Sequence, residues 1–422
     1  MVQYQRRQPA RRLSYFRRYE ALCTNDQLRI DMIRKLLFVL LVAIDRNKDN
    51  PEFSSLLRTR FQGVARLYFL HVYEPMGQIA RLSPRLGLGI EDFNEGNCRI
   101  NFLFGKIQLR ELIRLLQFPE LVTLANRITL TGEEVFLRFL YEFVSGDNQH
   151  RIGANVFGAG QPLQSRAFTW VVDYIHSEWS FLIMNNLDWW FRNGFCAKSA
   201  AAIGRKIGIA DNLVAWFLDC NCLETHVMGG GPVGDGVNAP RWDETIQRSF
   251  YNAWKARHGL KHQTLDNAYG ITVDIYGPLS LRRNDLALLR QSELRERLAA
   301  HQPVNGVQYI AMGDSIYKKS HHITSYHKAI DLIEDYVNWN VLMKQVRISI
   351  EWNYGGTAAM FKYLQNKTKL TLLTEARTSK VYIVATLLRN IHCMYYGSQT
   401  SNYFGLLMPD NMVQKFINQE DF

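Results

Sequence analysis

Leu213-Val214-Ala215-Trp216-Phe217-Leu218-Asp219 is an apolar run closed by an acid. Tyr309-Ile310-Ala311-Met312-Gly313-Asp314 repeats the pattern. Both are too short and too uniformly apolar for an amphipathic helix, and both read as buried strands ending in Asp. Val346-Arg347-Ile348-Ser349-Ile350-Glu351-Trp352-Asn353-Tyr354-Gly355 reads instead as a helix carrying Glu351. Strands of one sheet that end together place their terminal carboxylates at one edge. A helix crossing that edge adds a third.

The segments between these runs fit one architecture. Leu260 to Leu265 and Ile271 to Tyr276 flank Asp266-Asn267-Ala268-Tyr269-Gly270, a hairpin turn. A helix is expected from Asn284 to Ala300, then the strand Gln308 to Met312. Strand, hairpin, helix, strand and helix is the order of an α/β domain with an RNase H-like mixed sheet. Its expected span is residues 205–400, with 401–422 as a tail. Asp266 and Asp274, in or beside the hairpin, read as structural.

Upstream, an all-α region is expected. Thr131 with Glu134 three residues on is a capping box, opening a helix from Val135 to Val144. A short segment, His150 to Phe157, and a longer helix from Pro162 through Phe181 follow, separated by Gly158-Ala159-Gly160. Three helices with a glycine-bearing turn before the third form a helix-turn-helix pattern over 126–190. In that motif the start of the last helix faces the major groove, making Gln164, Ser165 and Arg166 candidate DNA contacts. A plain helical bundle is the bland alternative. Residues 26–125 read as mostly helical without a chemical motif. Trp189-Trp190 reads as core. Residues 1–25 form a basic arm, with Arg6, Arg7, Arg11, Arg12, Arg17 and Arg18.

The 422-residue chain is 47% hydrophobic, enough for a sizeable core, and carries net charge +11, which favours a polyanionic partner. Six cysteines without CxxC or zinc spacing read as reduced thiols. The longest apolar run, Leu36 to Ile44, is too short to span a bilayer, so no membrane association is expected. The glycines between 229 and 236 lack the Gly-Lys-Ser/Thr of a phosphate-binding loop. Lys255, Lys261 and His262 are candidate phosphate contacts, against a satisfied surface cluster. Arg241, Arg248 and Arg257 would make the 221–257 insert a cationic clamp. His321-His322 after Lys318-Lys319 suits a basic loop better than a shared metal.

Two Asp and one Glu offer hard oxygen ligands, which select Mg²⁺ or Mn²⁺. Two such ions can drive phosphodiester chemistry. Singly, an Asp at a strand end is a turn or cap residue, and Glu351 four residues after Arg347 an exposed ion pair. Three acids in this order reverse that balance. The segments Phe217-Leu218-Asp219-Cys220-Asn221, Tyr276-Gly277-Pro278-Leu279-Ser280 with Asn284-Asp285, Gly313-Asp314-Ser315-Ile316-Tyr317 and Arg347-Ile348-Ser349-Ile350-Glu351 resemble the PIF/Harbinger family of DDE transposases and its domesticated nuclease relatives. The likeness spans about residues 212–397. It implies Asp219, Asp314 and Glu351 as a catalytic metal-binding triad, DNA as substrate and a nuclear location. It also implies an acid near the site at Asp285, with Arg347 beside Glu351, and a separate Myb-like DNA-binding partner. Homo-oligomerisation is a further expectation. The alternatives are a domesticated DNA-binding regulator with an unused site, and an RNase H-like enzyme acting on RNA.

Overall fold

The computed structural model describes Leu40, Ala43, Ile44, Leu57 and residues 87–422 apart from 126, 227–247, 329–332, 366–369 and 371–374. The basic arm, the helices expected before residue 87 apart from those four positions, the glycine-rich loop and Arg241 lie outside the described residues. The chain divides into two compact units, residues 1–86 with 153–160, and residues 87–152 with 161–422. In the first, the described stretch 153–160 closes a turn in which Ala159 N–H donates to the Gly153 carbonyl at 2.7 Å.

The second unit begins with helices α1 (Glu95–Phe102) and α2 (Lys106–Leu115). A two-stranded ribbon follows, β1 (Leu121–Thr123) antiparallel to β2 (Thr129–Thr131). Helix α3 (Gly132–Ser145) starts where the capping signal places it: the Thr131 side chain accepts from Glu134 N–H. Glu134 does not reach back to complete the box. Its Oε1 instead accepts from Arg138 one turn on, a buried ion pair at 2.7 Å. Helices α4 (Gln149–Asn155) and α5 (Gln161–Trp179) come next, and the boundary between the two units falls inside α4. Helix α5 packs on α3 through Phe139 and Phe168, ring centroids 5.2 Å apart.

The short helices α6 (Phe181–Met184) and α7 (Leu187–Arg192) lead to α8 (Phe195–Ile207). Trp189 and Trp190 are buried, as expected of core residues, and pack edge-on at 4.9 Å. The main sheet is built from β3 (Val214–Glu224), β4 (Tyr251–Asn252), β5 (Arg257–Asn267), β6 (Thr272–Ser280), β7 (Ile310–Met312) and β8 (Ile323–Thr324). The hairpin of β5 and β6 turns at Gly270, whose φ of +75° suits glycine. The strand order of the sheet is β4-β5-β3-β7-β8, with β6 pairing β5 off this path. β3 pairs antiparallel with β5, and β7 runs parallel to β3 and to β8. Such a mixed sheet is consistent with an RNase H-like domain.

Two expectations need correction. Strand β3 does not end at Asp219 but continues through Glu224, because β5 pairs with it from Trp216 to Glu224. The helix expected from Asn284 to Ala300 is two helices, α9 (Asp285–Gln291) and α10 (Leu294–Ala300), broken where Glu293 adopts φ +49°. The leucines that suggested one helix are satisfied by two, since Leu288, Leu289, Leu294 and Leu298 are all buried.

Helix α11 (Glu334–Met360) lies against β3 and β7. Met343, Val346, Ile350, Asn353 and Thr357 form its buried stripe, spaced three and four residues apart. Met343, Val346 and Ile350 join Ile203 of α8 and Phe217 of β3 in the core of this layer. Helix α12 (Glu375–Tyr396) crosses the same face, and α13 (Gln399–Phe404) and α14 (Met412–Asn418) follow. Residues 401–422, expected as a tail, are packed: Trp189 Nε1 donates to the Glu420 carbonyl at 3.0 Å and Arg192 pairs with Asp421 at 2.7 Å. Among the described residues no helix is long and apolar enough to cross a membrane.

Candidate active site at the β3–β7 edge

Alternation along β3 sorts its side chains to two faces. Asp219 and Asn221 look toward α11 and α12. Their cross-strand neighbours Thr264 and His262 bond to Tyr354 of α11 and Ser379 of α12, and Asn221 donates to the Tyr382 hydroxyl at 2.7 Å. Cys220 and Cys222 look the other way, toward Tyr317 (3.4 Å) and Lys255 (3.0 Å). The described cysteines 98, 196, 220, 222 and 393 are free thiols.

Phe217 of β3 pairs with Met312 of the parallel β7. Asp219 and Asp314 each lie two residues beyond that pair, at one edge of the sheet. Strand β7 ends at Met312, so β3 loses its neighbour on that side where Asp219 begins. Asp314 turns the chain: its Oδ1 accepts from Ile316 N–H at 2.9 Å and its carbonyl from Tyr317 N–H. Gly313 is required because a Cβ there would sit 2.5 Å from the Tyr317 ring.

Both oxygens of Asp219 are engaged. Cys220 N–H donates to Oδ1 at 2.8 Å and Arg347 Nη2 to Oδ2 at 2.6 Å. Burial raises the Asp219 pKa, and Asp314 and Asp285 raise it further, against the pull of Arg347 and the Cys220 amide. Burial works against the Arg347 charge as well, but Asp219 foremost, then Tyr326 and Asp314, raise its pKa overall. Arg347 is thus the counter-charge shared by the two aspartates.

Glu351 is on the same helix, four residues after Arg347. At 3.6 residues per turn, four residues advance about 40° beyond a full turn. That offset carries Glu351 away from the buried stripe, and it is exposed. Among the described residues no group of three His, Cys, Asp or Glu side chains is placed to hold a metal ion. The donor chemistry of Asp219 and Asp314 suits Mg²⁺ or Mn²⁺, but the three acids do not converge on one ion in this arrangement.

The other candidates divide. Asp285 lies beside the site: the helix cap is Asn284, and Asp285 accepts from Lys261 Nζ at 2.7 Å. Lys261, expected to meet phosphate, is buried, with the Arg283 carbonyl as a second partner at 2.9 Å. His262 is fully buried and its pKa is pushed down to about 3, so it is neutral and no phosphate ligand. The alternating pattern of β5 turns both inward, one to each layer. Gln164 is also corrected. It is buried against α3, with Nε2 donating to the Arg138 carbonyl at 2.9 Å and to Glu142. Ser165 is half-buried, while Arg166 and Lys255 are exposed. Arg257 is exposed but paired with Glu224 at 3.2 Å. His322 contacts the Gln308 side chain, and Lys319 contacts His327.

Tyr317 and Tyr326 belong to the site and were not singled out from sequence. Tyr317 lies three residues after Asp314 in the run Gly313-Asp314-Ser315-Ile316-Tyr317, a visible signal; Tyr326, beside Arg347, carries none. Beyond Asp219, a cavity of about 230 Å³ runs along β3, bordered by Asn221, Glu224, Arg257, Tyr354 and Tyr382.

Residues 235–390 match a family model described as DDE superfamily endonuclease. The matched stretch contains Asp285, Asp314, Arg347 and Glu351 and begins after Asp219. This likeness supports a transposase-derived nuclease domain in general and does not single out the PIF/Harbinger branch. No curated protein and no solved structure matches the chain.

Proposed function

We propose that the protein is a DNA endonuclease or strand-transferase of the DDE class, with Asp219, Asp314 and Glu351 as its acids. The observation that carries this reading is that Asp219, on β3, and Asp314, just past the end of the adjacent parallel β7, each lie two residues beyond the Phe217–Met312 pair, with a DDE-endonuclease likeness over the second of them. Asp219, Asp314 and Glu351 would be the residues to hold Mg²⁺ or Mn²⁺, which would supply Lewis-acid activation of the phosphate and of water or a DNA 3′-hydroxyl. The nucleophile's oxygen bonds phosphorus as the bond to the leaving oxygen breaks, so no covalent protein intermediate forms. Asp219 and Asp314 bind at the sheet edge, and Glu351 orients the nucleophile from α11. Asp285, fixed by Lys261, adds negative potential beside Asp219. Exposed Arg166 and Lys255 neutralise DNA phosphates, in keeping with the +11 net charge. A PIF/Harbinger origin, a nuclear location, a Myb-like partner and a homo-oligomer complete the reading.

One observation favours a second reading. Arg347 neutralises Asp219 while Glu351 stands apart, as a domesticated DNA-binding regulator with an unused site would allow. Incubating the protein with supercoiled plasmid and Mn²⁺ or Mg²⁺, beside Asp314→Ala, separates the two. Metal-dependent nicking that disappears in Asp314→Ala is the expected outcome. DNA binding without nicking, also after addition of nuclear extract, favours the regulator.

A further inference from the structure

Trp254 is the most exposed large hydrophobic side chain among the described residues, at 94%. A single apolar side chain in solvent is ordinary on a protein surface. This one is set apart by where it stands. It lies at the tip of the hairpin in which β4 and β5 pair through Tyr251–His258 and Asn252–Arg257. The turn Ala253-Trp254-Lys255-Ala256 is tied down around it. Asn252 Oδ1 accepts from Lys255 N–H at 2.9 Å, Asn252 Nδ2 donates to the Leu281 carbonyl at 2.8 Å, and Arg257 Nε donates to the Lys255 carbonyl at 3.1 Å. The backbone is thus fixed while the indole projects, leaving roughly 200 Å² of aromatic surface in water. Exposed cations border it: Lys255 and Arg257 on the hairpin, and Arg282 and Arg283 directly after Leu281, to which Asn252 is tied. Among the described residues Glu224 offsets only Arg257 of these. The tip is also close to the acid edge. Lys255 Nζ contacts Cys222 Sγ at 3.0 Å, and Cys222 is three residues past Asp219, about 10 Å along β3.

We propose that Trp254 is a stacking platform for an unpaired base of the DNA, with Lys255, Arg282 and Arg283 holding the backbone beside it. This rests on the reading of DNA as the substrate. The side chains select the ligand by chemistry. Cations alone fit any polyanion. An aromatic face held beyond them reaches past the phosphates to the bases, and it accepts any base because each has a π face. In an intact duplex every base already stacks on its neighbours, so insertion of the indole must first unstack a step. An unpaired base offers its face without that cost. At about 3.4 Å per nucleotide, the 10 Å from Asp219 to Cys222 places the platform about three nucleotides from the acid edge. A protein partner could also cover an indole, but the cations around this one favour the polyanion. The contact reads DNA structure rather than sequence, and it requires no metal.

The test is binding of two fluorescein-labelled DNAs by anisotropy, on the full chain and without added metal. One is a perfect duplex. The other has the same length and charge but three consecutive mismatches at its centre. Wild type is expected to prefer the mismatched DNA by about tenfold, within the range that stacking on one base contributes. Trp254→Ala is expected to bind the two DNAs equally, and Trp254→Phe to keep most of the preference. The double variant Arg282→Ala, Arg283→Ala is expected to weaken both DNAs alike and to lower the salt slope by about two. Since Trp254 is 94% exposed, its variants should melt with wild type, which a melting curve checks. A wild type without preference, or a preference that survives in Trp254→Ala, overturns the stacking role and leaves the DNA reading intact. A wild type that binds neither DNA overturns both. Light scattering covers the remaining occupant: self-association lost in Trp254→Ala with DNA binding unchanged overturns the proposal in favour of an interface between copies of the chain.

Discussion

Asp266 shows how far burial alone can move a group near the acid edge. It is 1% exposed, its Oδ2 accepts from Asn353 at 2.9 Å, and Asn353 in turn accepts from the buried Arg389. Burial pushes the Asp266 carboxyl up to about 6 from an ordinary 3.8, against the hydrogen bonds of Asn353 and Thr272. The folded protein thus holds this proton more tightly than the unfolded chain. The stability linked to it is complete below about pH 4 and is lost as pH rises to about 6. The difference is on the order of 3 kcal/mol. Asp266→Asn, which keeps the acceptor and removes the charge, is expected to stabilise the protein at pH 7 by that order more than at pH 4. Unfolding midpoints in urea at the two pH values check it. Identical effects at both would show that folding leaves the Asp266 carboxyl at its ordinary pKa.

At the scale of the element, α5 shows why position on a helix does not by itself make a reading residue. Its start is polar in sequence, yet Gln164 points into α3, and of Gln164, Ser165 and Arg166 only Arg166 is exposed. Gln164→Ala is expected to lose about 1–3 kcal/mol of stability by leaving buried Glu142 and the Arg138 carbonyl short of a donor. DNA affinity should hardly change. Arg166→Ala should do the reverse, with little change in stability and a DNA-binding salt slope reduced by about one. Melting curves and salt titrations of a labelled duplex distinguish the two. The β5 strand repeats the lesson. Lys261 and His262 read as cations beside an acid site, but the strand alternates, and one meets Asp285 while the other meets Ser379 and Tyr382.

Across the whole molecule, the strands leading to Asp219 and Asp314 were legible in sequence because each is a short apolar run, a signal strong at that length. The two-helix break at Glu293 was not legible, since nothing but an unfavourable φ marks it. Nor was the Arg347–Asp219 pair, which joins residues on separate elements. The closing segment was also misjudged as a tail. Phe422 packs edge-on against Trp189 (6.0 Å) and Phe195 (5.5 Å), and its N–H donates to Asn193 at 2.8 Å. Deleting Met412–Phe422 is expected to lower the melting temperature and to red-shift tryptophan emission, because Trp189 and Trp190 would meet water. An unchanged spectrum would mean that the helices before β3 close over the gap by themselves.

The two-faced wiring of β3 has a consequence for how this chain can change. Side chains on a strand obey parity, so adding or removing a single residue between Val214 and Asp219 would exchange the layers. Asp219 would turn toward Tyr317 and α9, and Cys220 toward Arg347. Substitutions along the strand can be absorbed one at a time, but a change in its length by an odd number cannot. The frame of this strand is therefore more tightly constrained than the identity of most residues within it.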